Sequence, residues 1–482
     1  MNEKPNIVYI LADDMGYGDL SCLNEDSKIK TTNFDKMAER GMAFTDAHSS
    51  SAVCTPSRYS ILTGRYNWRS ELKDGVLWGY STPLIEKDRT TVASMLKEYD
   101  YKTACIGKWH LGMNWKMNEE GSEADFEAPI ENSPTTYGFD YYFGISASLD
   151  MPPYVYIENN HVTALPDRET ENTDYKIFWR KGPTGADFRH SEVLPKLTEK
   201  VIEKIGEWKD EPFFIYFPMP APHTPIMPSE EFLGKSGTNI YGDFVLMCDD
   251  MVGRIMKTIE DKGLLENTIV IYTSDNGCSP RVDYEELAEK GHNPSYIFRG
   301  AKADIYEGGH RIPLLVQWPG KIKPGSVSHE PVCLCDLMAT ISDITGYELM
   351  DNEGEDSVSN LPVWFGEDYK KPLREALVHH SMNGSFSIRK GKWKLEMCPG
   401  SGGWSHPIPG EETEGLPPIQ LYDLSKDIGE RKNLQDKHPE VVDDMRRLLI
   451  QYIEEGRSTE GIEQKNTGKA YWNHLERVYK TD

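Results

Sequence analysis

Two apolar runs that stop abruptly at polar pairs constrain this chain most. Asn6–Ala12 reads as a buried strand and halts at Asp13–Asp14. Ile269–Thr273 reads the same way and is followed by Asp275–Asn276. Neighbouring residues of a strand face opposite sides, so an adjacent polar pair shares one ligand only where the pleat ends. Between these runs, apolar residues at helical spacing alternate with further short apolar runs. Helical stretches are expected at 33–40, 91–99, 191–208 and 241–263, and strands at 43–46, 102–106, 212–217 and 312–318. Strand–helix alternation predicts an α/β fold, a large mostly parallel or mixed sheet sandwiched by helices. In such sheets ligands collect at the strands' C-terminal ends, where both polar pairs fall.

The pattern changes after Gly346. Residues 351–360 are acidic and polar and are expected to form a surface loop. Short alternating runs at 376–380, 385–389, 393–397 and 420–424 precede an amphipathic helix at 440–454. They predict a smaller C-terminal antiparallel sheet plus helix. At 482 residues the chain is long for one domain. Units of 1–365 and 366–482 follow.

The formal net charge of −25 opposes binding to nucleic acid and anionic membranes. An anionic substrate therefore needs a locally positive pocket. No apolar stretch reaches the roughly 18 residues of a membrane span. Met1–Ile10 lacks the segments of a signal peptide, which leaves a cytoplasmic protein or an export signal already removed. Of eight cysteines, none forms a zinc or C-x-x-C pattern, and Cys333 and Cys335 read as core. Cys54 is different. In Cys54-Thr55-Pro56-Ser57-Arg58, Thr55 suits a helix cap and Pro56 a first turn, with Gly64 at the helix end. Cys54 then lies at a helix N-terminus, which favours an anion, and Arg58 is one turn away.

Cys54-Thr55-Pro56-Ser57-Arg58 followed by Leu62-Thr63-Gly64-Arg65 resembles the signature of the formylglycine-dependent sulfatases, a family of the alkaline phosphatase superfamily. The resemblance runs over nearly the whole chain and implies that Cys54 is oxidised to Cα-formylglycine by a maturation enzyme. A hydrated aldehyde carries two hydroxyls on one carbon. One attacks sulfur and forms a covalent sulfo-enzyme; the other loses its proton so that the aldehyde re-forms and sulfate leaves.

The resemblance assigns Asp13, Asp14, Asp275 and Asn276 as metal ligands, with the modified Cys54 completing the set. Oxygen donors alone suit Ca²⁺ or Mg²⁺ and not zinc. Gly107-Lys108-Trp109-His110-Leu111-Gly112 follows a strand; in extended chain Lys108 and His110 share a face. Lys108 is expected to neutralise sulfate and His110 to take the nucleophile's proton. His223, in a Pro-rich loop, and Lys302 fall on the leaving-group side, His223 as general acid and Lys302 on the sulfate. Ser148 is a further candidate for the sulfate pocket. Glu307 and Arg311 read as a structural pair. Arg189, His190, His310, His380 and Trp404 are candidates for the leaving-group pocket, Trp404 in a flexible Gly-rich loop suited to stacking on a sugar.

These readings imply an exo-acting carbohydrate sulfatase working on a sulfated polysaccharide, glycosaminoglycan or mucin glycan, periplasmic or secreted. Two alternatives stay open: a formylglycine-dependent phosphate or phosphonate monoester hydrolase, and an inactive calcium-dependent glycan-binding protein.

Overall fold

Asn6–Ala12 is buried along its whole length, and Phe213–Pro218 and Thr268–Ser274 flank it in parallel register. Strands buried on both faces belong at the centre of a parallel sheet covered by helices. Lys102–Lys108 and Tyr141–Ile145 extend the parallel block on one side. On the other, Leu314–Gln317 and Met42–Phe44 pair antiparallel, so the ten-stranded sheet is mixed. The computed structural model describes residues 4–121 and 123–480; Met1, on which the reading of an export signal turned, lies outside the described residues.

Alternation along the central strand sends side chains to two cores. Val8, Ile10 and Ala12 pack towards the helices Val193–Glu207 and Ile240–Asp261. Ile7, Tyr9 and Leu11 pack towards Cys54–Thr63, Val92–Lys97 and Leu337–Thr345. Glycine sets one close contact in the sheet. A Cβ on Gly144 would stand 1.8 Å from the Gly107 carbonyl oxygen of the neighbouring strand, so only glycine fits there.

Strands Leu377–His380, Phe386–Lys390, Trp393–Glu396 and Gln420–Asp423 form the smaller antiparallel sheet in chain order, and Pro439–Glu454 packs on it. Tyr66, Trp68, Cys333 and Cys335 share its core.

Two local expectations change. The acidic segment 351–360 is not a surface loop. Glu355 and Asp356 are buried against guanidinium groups: Glu355 pairs with Arg65 and Arg89, at 3.3 and 2.7 Å, and Asp356 with Arg69 at 2.8 Å. Carboxylates go inside only with such partners, and those arginines are distant in sequence. The hairpin Pro166–Thr173/Phe178–Gly185 was not foreseen, because its first strand is almost wholly polar, alternating half-buried with exposed residues. Among the described residues, no helix is long and apolar enough to cross a membrane.

Candidate active site

Four parallel strands deliver the chemistry to one rim of the sheet. Asn6–Ala12, Lys102–Lys108, Phe213–Pro218 and Thr268–Ser274 end at the same side, so Asp13 and Asp14, Lys108 and His110, His223, and Asp275 and Asn276 emerge together. The register aligns Ala12 with Ser274, and Asp275 donates its N–H to the Ala12 carbonyl at 3.1 Å. Asp14 leaves the strand with a positive φ of 68°, which breaks the pleat and lets adjacent aspartates face one site.

Cys54 is the first residue of its helix, so the cap is Val53 and not Thr55. The Thr55 hydroxyl instead donates to the His110 carbonyl at 3.1 Å and accepts from the Leu77 N–H, tying three segments together. Gly64 closes the helix in the left-handed conformation, as expected. Ligand atoms of Asp13, Cys54 and Asp275 lie within 4.8 Å of one another. Burial pushes the Cys54 thiol up, against the pull of Lys108 and Lys302, so the unmodified side chain is not a ready thiolate.

Three cations hold the three carboxylates. Arg58 grips Asp275 through Nε and Nη2, at 3.0 and 2.7 Å, and approaches Asp13 at 3.5 Å. Lys108 Nζ lies 2.7 Å from Asp13, and Lys302 Nζ 2.6 Å from Asp14. The set sums to zero without any added cation. Burial works to raise the Asp13 carboxyl, but Lys108, His223, Arg58 and Lys302 together hold it well below the usual range. Asp275 goes the other way, its burial outweighing Arg58.

The donor set has the character of a hard-cation site. No hydrogen-bond donor reaches Asp13 Oδ1 or Asn276 Oδ1, although both are buried. Unsatisfied buried acceptors cost about 1–3 kcal/mol each and call for a positive partner. The residues present fit Ca²⁺ or Mg²⁺. Asp14 Oδ2 already accepts from Lys302 at 2.8 Å, and Oδ1, 2.6 Å from the same ammonium, accepts from Asn276 Nδ2 at 2.7 Å.

His110 departs from the extended chain expected of it. Its φ is +56°, so the pleat that would put it on one face with Lys108 is broken. Nε2 lies 2.8 Å from the Leu77 carbonyl, which only accepts; the proton is therefore on Nε2 and Nδ1 carries a bare lone pair without a partner. Burial, then Lys108 and Arg58, keep this imidazole neutral, well below its ordinary pKa. His223 Nδ1 is likewise fixed on the Thr224 carbonyl at 2.6 Å, leaving Nε2 3.7 Å from Asp14 Oδ2.

A cavity of about 380 Å³ opens on Cys54, Ser148, His223, Lys302 and Trp404. The Trp404 loop is anchored rather than flexible: Trp404 and Ser405 donate their N–H groups to Asp304 Oδ1, at 2.8 and 3.0 Å. The other four leaving-group candidates do not line this cavity. Arg189 is exposed and donates to the carbonyls of Ala186 and Phe188. His190 stacks on Trp179 at 4.1 Å, and burial takes its pKa down to about 4. His380 is buried in the small sheet, where burial lowers it to about 3, and His310 lies in a separate buried cluster. Glu307 and Arg311 pair at 3.0 Å. Trp78, Asp150, Arg180 and Arg281 line the cavity without having been singled out, since no motif surrounds them.

The sulfatase family model matches residues 5–347. The chain is 35% identical to an N-acetylgalactosamine-6-O-sulfatase of Bacteroides thetaiotaomicron, over 93% of each chain. It is 32% identical to human arylsulfatase A, over 92% of this chain and 87% of that one. A solved structure from work on glycosaminoglycan metabolism by Bacteroides thetaiotaomicron superposes with a TM-score of 0.82 at 35% identity, covering 93% of this chain and 99% of its own. Family match, full-length relatives and shared architecture agree: the chain belongs to the sulfatase family and is a sulfuric ester hydrolase.

Proposed function

We propose that this sulfatase is an exo-acting carbohydrate sulfatase that removes a sulfate ester from a glycosaminoglycan, sulfated polysaccharide or mucin glycan. One observation carries the reading. Asp13, Asp275 and Cys54 converge within 4.8 Å, beside a cavity of about 380 Å³ that Cys54, His223 and Lys302 line. The relatives named for N-acetylgalactosamine 6-sulfate make a 6-sulfated hexosamine the first substrate to try.

Asp13, Asp14, Asp275 and Asn276 would hold one Ca²⁺, or Mg²⁺, which when bound offsets the charge of the sulfate oxygens. Cys54, matured to formylglycine by a partner enzyme, would supply the nucleophilic hydroxyl. The chain's own residues do the rest. Lys108 and Lys302 neutralise sulfate oxygens, and Arg58 fixes Asp275 and Asp13. His110 accepts a proton at Nδ1, the lone pair left bare by the Leu77 contact. His223, entering as the imidazolium with Nδ1–H kept on the Thr224 carbonyl, donates its Nε2 proton to the departing sugar oxygen, which is a poor leaving group unprotonated, and is left neutral. Residues 1–365 form the catalytic unit in this reading and 366–482 the cover that carries Trp404. A periplasmic or secreted enzyme suits polymers met outside the cell.

The test is sulfate release by protein coexpressed with a formylglycine-generating enzyme, on N-acetylgalactosamine 6-sulfate, other sulfated monosaccharides, 4-nitrophenyl sulfate and 4-nitrophenyl phosphate. Sugar sulfates turned over, with activity lost to chelator and restored by Ca²⁺, are expected. Faster phosphate hydrolysis would move the assignment to a phosphomonoesterase. Glycan binding without turnover would move it to an inactive binding protein.

A further inference from the structure

Three cavity-lining residues outside the catalytic set come from three separate segments: Trp78 from the loop after the Cys54 helix, Asp150 from the turn after Tyr141–Ile145, and Arg180 from the hairpin strand Phe178–Gly185. Asp150 is only 8% exposed, and its two oxygens differ. Oδ2 accepts from Arg180 Nη1 at 2.5 Å; Oδ1 is buried and has no partner. Arg180 Nη1 also reaches the Asp150 carbonyl at 3.1 Å, while Nε and Nη2 make no hydrogen bond among the described residues. The guanidinium carbon lies 4.9 Å from the Trp78 ring and 5.2 Å from the Phe178 ring, which fix its plane. Ser148, two residues before Asp150, likewise presents a buried hydroxyl without a partner to this cavity.

A purely structural Asp–Arg pair gains by using both carboxylate oxygens and the guanidinium fork. This pair leaves a bare acceptor and free donors beside the cavity. Such an arrangement complements two neighbouring hydroxyls, one giving its proton and the other accepting one.

We propose that Asp150 and Arg180 form a hydroxyl-reading clamp for the sugar that carries the sulfate. Asp150 Oδ1 accepts from one ring hydroxyl, a free Arg180 N–H donates to its neighbour, and Trp78 holds the guanidinium plane. The inference rests on the sulfatase reading and adds a substrate requirement: a free vicinal diol on the sulfated ring.

The experiment compares kcat/KM on the best sulfated monosaccharide of the panel above with that on 4-nitrophenyl sulfate, which has no ring hydroxyls. Asp150→Ala and Arg180→Met are expected to lower the sugar-to-aryl ratio roughly 10- to 150-fold, the range of a hydrogen bond to a charged group. Asp150→Asn, which keeps an acceptor oxygen, should recover part of it. A deoxy substrate lacking one hydroxyl should lose rate with wild-type enzyme and little more with Asp150→Ala. Thermal melts identify a variant that fails to fold; the deoxy series needs only wild type. An unchanged ratio, or a deoxy sugar cleaved as well as its parent, would overturn the clamp. Wild-type protein releasing sulfate from neither substrate would overturn the catalytic reading itself, and the clamp with it.

Discussion

Two of the buried charge clusters among the described residues contrast: one adjoins the cavity that Cys54 and Lys302 line, and the other does not line it. The first is the strand-end group of Asp13, Asp14, Asp275, Asn276, Arg58, Lys108 and Lys302. The second joins Asp46, His48, Glu307, His310, Arg311, Arg389, Lys394 and Glu430, and bridges the large sheet to the small one. Arg389 grips Asp46 with both Nη atoms at 2.6 Å. His48 links Asp46 at 2.7 Å to His310 at 3.0 Å, and Lys394 closes the chain on His310 and Glu430, at 3.0 and 2.6 Å. His48, His310 and His379 are near enough to share a metal. Yet every ring nitrogen of His48 and His310 already has a partner, and of the six ring nitrogens only His379 Nε2 is left without one. Clustered ligand atoms therefore do not mark a site by themselves. Bare acceptors at strand ends, next to the Cys54 and Lys302 that line a cavity, do.

The sharpest way to break this contrast is to disable His110, which sits beside the first cluster, and one member of the second. His110→Ala, at the first, should cut kcat by about 10²- to 10⁴-fold with an unchanged circular dichroism spectrum. Lys394→Met, at the second, should cost about 3–5 kcal/mol of stability by stranding the buried Glu430, measured by denaturant unfolding. Its turnover per folded molecule should match wild type. A Lys394→Met protein that is stable but inactive would erase the distinction.

Acid sharpens the comparison further. Burial holds His48, His310 and His379 below the ordinary imidazole value, so they stay neutral when folded. The unfolded chain then binds protons the native state does not. Stability should fall as pH drops below about 6.5, by up to about 1.4 kcal/mol per pH unit for each imidazole, until the folded pKa is reached. His379→Phe keeps a ring to stack on His310, 3.9 Å away, and should flatten the slope by about one proton. Melting temperatures across that range provide the check; an unaltered slope would mean that His379 is protonated in the native protein.

Legibility in the sequence followed range. Asp13–Asp14, Asp275–Asn276 and the Cys54 helix are local signals, each a strand end or helix start, and the fold gathers them. What the sequence hid is set by tertiary partners. His310 and His380 read as pocket candidates because histidine is chemically versatile, but burial beside Lys394 and in the small sheet directs them inward. Asp150 and Arg180 carry no motif, since thirty residues and a mostly polar hairpin separate them. Glu355 and Asp356 looked like solvent-facing charge until Arg65, Arg69 and Arg89 supplied partners.

The most direct measurement is the peptide mass around Cys54 in active protein made with a maturation enzyme. Formylglycine is lighter than cysteine by about 18 Da, as the thiol and a hydrogen give way to an aldehyde oxygen. The account predicts that loss on this cysteine alone of the eight, in proportion to sulfate-releasing activity. Full activity with an unmodified Cys54 thiol would contradict it.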